Sequence, residues 1–142
     1  MTAVFRALLL ILVFSGPTSV AARAAAPKPV PIVMQMTVGD SDAQRRAFLQ
    51  IAKVLEDIGD DRVKIEVVAY EGGITSLLPD NHDTASLLAA LARQGVKFKA
   101  CRISMRAHGL KDVEFPMEVD FVPAGAPEMI RLQLLGYRYW RP

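Results

Sequence analysis

Residues Gly95–Gly109 read GVKFKACRISMRAHG, and this stretch decides the class of fold. Its first part alternates apolar and basic side chains, which is typical of a strand with one buried face. Its second part predicts a short helix that begins after Cys101 and ends at Gly109. Open α/β sheets place their sites at the carboxyl ends of strands. The one cysteine of the chain is therefore predicted at a position suited to a functional site.

Strand and helix patterns alternate along the rest of the chain. Apolar or alternating runs predict strands at 32–38, 63–70, 96–101, 117–122 and 137–142. Helical periodicity predicts helices at 41–58, 84–94, 102–108 and about 127–135, with a short helical piece at 74–78. The connections are long enough for neighbouring strands to pair in parallel, so the sequence predicts an α/β layered sandwich.

Local signals predict how the first elements begin and end. Ser41 and Gln44 have the spacing of a capping box at the start of the first helix, and Gly59 fits just past its end. The segment 71–73, Glu-Gly-Gly, is predicted to be a flexible turn at the carboxyl end of the second strand. Asp40 and Glu71 each follow a strand and could line the same crevice. The alternatives are a turn or near-cap residue for Asp40 and a solvated loop residue for Glu71.

The first 26 residues are predicted to be a secretory signal peptide. A basic residue precedes an apolar run at 7–14, and residues 22–24 supply an A-x-A cleavage site. The apolar run is too short to span a bilayer, and an uncleaved anchor is the alternative. Residues 27–31 are predicted to form an extended leader and residues 32–142 one domain. This organisation predicts a periplasmic or secreted protein.

The charge balance argues against a nucleic-acid partner. The chain has a formal net charge of +2, and Arg6 and Arg23 in the predicted signal peptide account for it. A chain cut after Ala24 is therefore formally neutral and has no net positive charge with which to bind nucleic acid. No membrane partner is predicted after cleavage. The apolar content, 51% of the residues, instead favours further burial between identical subunits.

A single cysteine in an exported protein suggests a reactive thiol or an intermolecular bond, because exported domains commonly use cysteines in pairs. The positive end of a helix dipole would lower the pKa of the Cys101 thiol. Lys99, Arg102 and Arg106 could lower it further and attract an anion such as a sulfur oxyanion or a persulfide. The alternatives are a buried packing cysteine, and basic residues that form a solvated face or salt bridges between subunits.

Several other chemistries do not fit the sequence. His108 follows Cys101 by two helical turns, about 10 Å along the axis, which is too far for a local Cys–His pair. A C-x-x-C motif is absent, and no spacing of ligands suggests a zinc site. Gly72 and Gly73 do not form a dinucleotide-binding fingerprint. No metal and no cofactor are therefore predicted.

Three segments together resemble the DsrE/DsrF-like (YchN-like) family over residues 32–142. They are 63–70 followed by Glu71-Gly72-Gly73-Ile74; 95–101 with Met105 and Gly109; and 122–125 with Arg131-Leu132-Gln133 and Gly136-Tyr137. The resemblance implies a three-layer sandwich, with a five-stranded, mostly parallel sheet between two helical layers, and assembly into trimers or hexamers. It also implies a link to sulfur metabolism, in which a cysteine at this position carries persulfide sulfur.

The sequence thus predicts an exported DsrE-like protein that carries sulfur on Cys101 and exchanges it with a donor or acceptor protein. The alternative is a non-catalytic oligomeric module that binds a small ligand or a protein, with Cys101 structural. The predicted binding residues around the thiol are Lys99, Arg102, Arg106, Glu71, Gly72 and Gly73.

Overall fold

The computed structural model describes residues 27–142, and the predicted signal peptide lies outside the described residues. The strands are β1 (Val30–Met36), β2 (Val63–Ala69), β3 (Lys97–Cys101), β4 (Val119–Val122) and β5 (Arg138–Trp140). The α-helices are α1 (Ser41–Ile58), α2 (Ala85–Arg93), α3 (Arg102–Ala107) and α4 (Gly125–Leu134). Two 3₁₀ helices cover Glu71–Leu77 and Asp112–Glu114.

The five strands form one parallel sheet in the order β4-β3-β2-β1-β5. β2 lies at the centre, and its run of apolar residues fits a strand that is covered on both faces. Met36 pairs with Ala69, Ala69 with Ala100, and Cys101 with Val122. The carboxyl ends of β1 to β4 therefore meet along one edge, which we call the carboxyl edge.

The two faces of the sheet carry cores of different size. The larger core packs α1 and α2 onto one face, and the rings of Phe48 and Phe98 meet there at 5.4 Å between centroids. The opposite face carries α4, whose Met129 and Leu132 cover Val33 and Val68. The predicted three-layer sandwich with a parallel sheet is confirmed. No helix among residues 27–142 is long and apolar enough to cross a bilayer.

The start of α1 corrects the predicted capping box. Asp40 is the N-cap, and its carboxylate accepts a hydrogen bond of 2.8 Å from the backbone N–H of Ala43. Ser41 lies inside the helix, one residue too late to cap it. Gln44 is fully buried instead, and its amide donates to the carbonyl of Val38 at 2.7 Å. An acidic N-cap satisfies the free N–H groups and adds a favourable charge, which explains why Asp40 takes this position.

Two strand boundaries also differ from the predicted ones. β1 runs from Val30 to Met36, two residues earlier than predicted, because its pairing with β2 begins at Val30 opposite Val63. The predicted extended leader therefore overlaps the first strand. β4 begins at Val119 rather than at Met117, whose side chain is fully exposed.

Candidate functional site

Cys101 lies where the sequence predicted, at the carboxyl end of β3. It is the last residue of the strand and the N-cap of α3, with extended backbone angles. β3 has β2 on one side and β4 on the other, so the thiol lies well inside the carboxyl edge. Its residue is only 3% exposed. The site is thus a buried thiol at a strand–helix junction.

The sulfur of Cys101 is held at the first turns of two helices. The backbone N–H of Gly125, the first residue of α4, donates to Sγ at 3.1 Å. Ile103 and Ser104, in the first turn of α3, also lower the pKa of the thiol, although the Cys101 side chain forms no capping hydrogen bond to α3. Ala124, the N-cap of α4, has no side chain that could accept the bond from Gly125, so Sγ takes the place of a capping oxygen.

These contacts determine how easily the thiol ionises. Burial raises the pKa of Cys101, but the hydrogen bonds from Ser104, Gly125 and Ile103 together lower it more, so the pKa lies below its usual value. Hydrogen bonds to the ionised form of a side chain favour that form and so lower the pKa of an acid. The thiolate is therefore stabilised mainly by N–H and O–H donors.

Lys99 shares a face of β3 with Cys101, yet its charge is engaged elsewhere. Its Nζ lies 2.6 Å from Oε2 of Glu66 and 2.7 Å from Oε1 of Glu128. Burial lowers the pKa of Lys99, but the two carboxylates raise it more, so the amine stays charged. Two carboxylates surround the ammonium group, and the predicted role of Lys99 in binding an anion stays a prediction.

Arg102 and Arg106 lie on α3, the helix that follows Cys101. Arg102 forms a two-point salt bridge with Asp112 at 2.8 and 2.9 Å, and its guanidinium lies 4.8 Å from the centre of the Phe121 ring. Arg106 lines an open groove of about 320 Å³ together with Leu110 and other residues of this region. Both arginines are thus near the thiol along the chain, and their predicted role in binding an anion stays a prediction.

Gly72 and Gly73 are required for close packing, which corrects the prediction of a flexible turn. Both lie in the 3₁₀ helix that begins at Glu71. A Cβ atom added to Gly73 would lie 2.1 Å from the carbonyl oxygen of Met36, and one added to Gly72 would lie 2.9 Å from Cα of Gly39. These glycines therefore allow the 3₁₀ helix to lie directly on the end of β1, and their α-carbons face backbone atoms.

Glu71 connects this 3₁₀ helix to the thiol through its backbone. Its N–H donates to the hydroxyl oxygen of Ser104 at 2.7 Å, and the Ser104 side chain in turn lowers the pKa of the Cys101 thiol. Glu71 has a φ of 50°, the one positive φ of a non-glycine residue among residues 27–142. A left-handed conformation costs such a residue roughly 1 to 2 kcal/mol. Glu71 thus keeps a strained backbone at the site.

Three residues of the site were not predicted from the sequence. Gly125 donates to Sγ, Ser104 lowers the pKa of the thiol, and Tyr70 packs against Gly125, since a Cβ atom added to Gly125 would lie 2.6 Å from the Tyr70 ring. Ser104 lies three residues after Cys101, the N-cap of α3, and a side chain at that position can reach back to the N-cap residue. The spacing of Cys101 and Ser104 in the sequence therefore indicates that the two lie close together. Gly125 comes from a helix 24 residues away, and no local signal indicates that contact.

The described residues offer no group of three or more histidine, cysteine, aspartate or glutamate side chains that could hold a metal ion. The arrangement can instead hold one sulfur anion. The Gly125 N–H donates to Sγ from the first turn of α4, and Ser104 and Ile103 in the first turn of α3 lower the pKa of the thiol. Donors of this kind stabilise negative charge that forms on a reacting atom in a site from which water is excluded.

A family model described as the DsrE/DsrF-like family matches residues 30–141. Among solved structures, the fold is similar to MTH1491, a protein of unknown function from Methanobacterium thermoautotrophicum, with 29% identity and a TM-score of 0.73. That match covers 80% of this chain and 99% of the other. The YchN protein of E. coli is 13% identical with a TM-score of 0.61, covering 82% of this chain and 100% of that one, and shares the fold. No match was found among curated proteins.

Proposed function

The chain belongs to the DsrE/DsrF-like family, and from this premise we propose that it carries sulfur as a persulfide on Cys101. The observation that supports this role is the Gly125 N–H that donates to Sγ at 3.1 Å, in a junction that lowers the pKa of the thiol. A thiolate, and not a thiol, is the nucleophile in sulfur transfer, and these contacts favour the thiolate. The contacts of Cys101 thus provide the chemical form that the proposed reaction requires.

The reaction consists of two displacements. In the first, the Cys101 thiolate attacks the terminal sulfur of thiosulfate or of a polysulfide; the sulfur–sulfur bond of the donor breaks, and sulfite or a shorter polysulfide leaves. In the second, the thiolate of an acceptor attacks the outer sulfur of the persulfide, and Cys101 leaves as a thiolate. The electron pair moves with the leaving group in each step, so no oxidant or reductant is consumed.

The burial of Cys101 has two consequences for this proposal. It restricts the thiol to small donors or to an acceptor that reaches into the carboxyl edge, and it slows oxidation of the thiolate to sulfenic acid. The same burial, 3% exposure, favours the second candidate function, a non-catalytic oligomeric binding module in which Cys101 only packs. Rapid labelling of the native protein by a thiol reagent at neutral pH would contradict this second candidate.

We expect the purified protein to gain the mass of one sulfur atom after incubation with polysulfide, because the thiolate is held in its reactive form. Intact-mass spectrometry measures this gain. The matched control is Cys101→Ala, which removes the single thiol of the chain. A wild type that gains no sulfur, or a Cys101→Ala variant that gains as much, would refute the sulfur-carrier role.

We further propose that the protein is exported to the periplasm or secreted, on the pattern of its first 26 residues. Expression of the full chain in a bacterium should yield a mature protein that begins at Ala25, after the A-x-A site. Amino-terminal sequencing of the purified protein measures this. An intact amino terminus at Met1 on protein recovered with the cytoplasmic fraction would show that the segment is not cleaved.

Assembly with further copies of the chain is the third proposal. Exposed apolar side chains lie on the outside of α4 and on β5: Ile130, Leu134 and Tyr139. Ile130 and Leu134 are four residues apart and so share one face of α4. Contiguous exposed apolar residues mark interaction surfaces, and a symmetric oligomer would cover them. Neither nucleic acid nor a membrane is proposed as a partner.

We expect Leu134→Glu to shift the protein from a trimer or hexamer to a monomer, because Leu134 is 83% exposed in a single chain and a charge there would be buried in the assembly. Sedimentation at micromolar concentration measures the change. Arg93→Glu, at the end of α2 on the opposite face of the sheet, is the control and should leave the assembly intact. A wild type that sediments as a monomer would refute the assembly.

A further inference from the structure

The thiol and a buried ionic cluster lie between the same two elements. β3 carries Lys99 and Cys101 two residues apart, so both side chains point to the face that α4 covers. α4 carries Gly125 and Glu128 three residues apart, or about one helical turn. The Gly125 N–H meets Sγ at 3.1 Å, and Oε1 of Glu128 lies 2.7 Å from Nζ of Lys99. β3 and α4 are therefore joined at two neighbouring points.

The ion pair of Glu128 with Lys99 is fixed in position by further partners of both residues. Glu128 is 8% exposed, and Arg131 donates to its two carboxylate oxygens at 2.7 and 2.8 Å. On the other side of Lys99, Oε2 of Glu66 lies 2.6 Å from Nζ, and the Tyr137 hydroxyl donates to Oε1 of Glu66 at 2.6 Å. Hydrogen bonds between charged groups are short and directional. The carboxylate of Glu128 is thus held in one place relative to β3.

The first turn of α4 has few other restraints. Its N-cap is Ala124, which forms no side-chain hydrogen bond to the helix. The Tyr70 ring packs against the α-carbon of Gly125, and the Gln35 amide donates to the Tyr70 hydroxyl. The ring limits how far the turn can approach the sheet, but an apolar contact does not direct an N–H group. Met129 and Leu132 hold α4 against the sheet further along, and the ion pair of Glu128 with Lys99 is the charged contact nearest to this turn.

We propose that Glu128 is a positioning residue: by binding Lys99, it holds the first turn of α4 so that the Gly125 N–H stays directed at Sγ. This inference rests on the proposed function, since it matters for sulfur transfer only if Cys101 reacts. Its effect reaches the sulfur through the backbone of α4, and Glu128 itself does not touch Sγ in the described contacts.

The direction in which the pKa of Cys101 changes in a Glu128 variant tests the proposal. Loss of the Glu128 charge and loss of its positioning effect shift that pKa in opposite directions. A carboxylate near a thiol disfavours the thiolate, so neutralising Glu128 would by charge alone lower the pKa of Cys101. Neutralising Glu128 would also leave the positive charge of Lys99 with one carboxylate partner fewer, which lowers the pKa of Cys101 further. Loss of the Gly125 hydrogen bond raises it. Only the positioning role predicts an upward shift.

The other charged groups around the thiol stay in the protein, and those that lose Glu128 as a partner, Lys99 and Arg131, are positive, so their effect on the pKa of Cys101 is also downward. The groups besides Lys99 are Glu66 and Lys97 from the sheet, Arg131 from α4, Glu71 after β2, and Arg102 with Asp112 beside α3. The titratable hydroxyls of Tyr70 and Tyr137 lie on the same face. Substitution of Glu128 alone leaves all of these in the protein, so the sign of the shift reports on Glu128.

The experiment is a pH titration of the thiolate by its ultraviolet absorbance in the full chain, with Cys101→Ala as the blank for tyrosine. This readout needs no reagent to reach the buried thiol. We expect the midpoint in Glu128→Gln to rise by about one pH unit, because a hydrogen bond to a charged group changes an equilibrium by roughly tenfold or more. An unchanged or lowered midpoint would overturn the proposal.

Two further variants complete the test. Glu128→Asp keeps the charge but withdraws the carboxylate from Lys99, so positioning predicts an upward shift and charge alone predicts none. Asp112→Asn removes a carboxylate beside Arg102 that has no contact with α4, so its midpoint should not rise. The titration involves no sulfur donor. A rise in the Glu128 variants without sulfur loading of the wild type would therefore refute the carrier function and leave the positioning role in place.

Discussion

Replacing Gly73 with alanine is expected to lower the free energy of unfolding by more than about 4 kcal/mol, a loss found for few single substitutions. The added Cβ would lie 2.1 Å from the carbonyl oxygen of Met36, 2.4 Å from its carbonyl carbon and 2.8 Å from the backbone nitrogen of Thr37. These are backbone atoms at the end of a paired strand, so they cannot rotate away as a side chain could. The 3₁₀ helix must move off the sheet or β1 must break its pairing.

The matched control is Gly39→Ala at the same junction. A Cβ there would have its nearest neighbour at 3.6 Å, which is ordinary van der Waals contact, and Gly39 has no positive φ. We expect this variant to unfold within about 1 kcal/mol of the wild type. Urea denaturation followed by circular dichroism measures both. If Gly73→Ala unfolds like Gly39→Ala, the close packing of the 3₁₀ helix on β1 is wrong.

The second large effect is expected from Lys99→Met, which should cost about 3 to 5 kcal/mol of unfolding free energy. The variant would leave Glu66 and Glu128 buried without the ammonium group that lies within 2.7 Å of each. Glu128 retains Arg131 and Glu66 retains the Tyr137 hydroxyl, so part of the cluster remains. Burial of a charge without its partner is the main cost.

Lys53→Met provides the comparison for this variant. Lys53 binds Glu56 and Asp57 on the exposed side of α1, and surface ion pairs contribute between zero and about 1 kcal/mol. Urea denaturation of the two variants should therefore give very different midpoints. Addition of Glu66→Gln to Lys99→Met should recover part of the loss, because it removes one unpaired charge. Equal stability of Lys53→Met and Lys99→Met would contradict a buried ionic cluster.

Much of the fold could be predicted because its signals are local. The apolar run at 63–70 and the alternation before Cys101 predict strands within about two residues of β2 and β3. Gly59, Gly95 and Gly109 follow helices and have positive φ, as expected of residues just past a helix end. Strand–helix alternation with long connections then leaves a parallel sheet as the natural arrangement.

The surroundings of the thiol could not be predicted, because they depend on contacts between distant residues. The sequence predicts that Lys99 could act on Cys101, since the two share a strand face. Its partners Glu66 and Glu128 come from β2 and α4, and neither is near it in the sequence. The Gly125 donor is equally distant. The position of Cys101 follows from its own strand and helix, whereas the groups that tune it follow from the packing of α4.

The capping of α1 shows a smaller limit of the same kind. Ser41 and Gln44 satisfy the pattern of a capping box, but Asp40 competes for the same role one residue earlier. Gln44 does not complete a capping box, because its buried amide donates instead to the carbonyl of Val38 and to the hydroxyl of Thr75. A local pattern predicts that a helix begins here, and the tertiary contacts decide which residue caps it.

Transfer of sulfur from the loaded protein to an acceptor thiol tests the central claim most directly. The protein is loaded with polysulfide, freed of excess donor and mixed with glutathione, and both partners are followed by mass spectrometry. We expect the protein to lose the mass of one sulfur atom while an equal amount of glutathione persulfide forms, and we expect neither change with Cys101→Ala. Wild-type protein that never carries the extra sulfur, or that carries it without passing it on, would contradict a carrier function for Cys101.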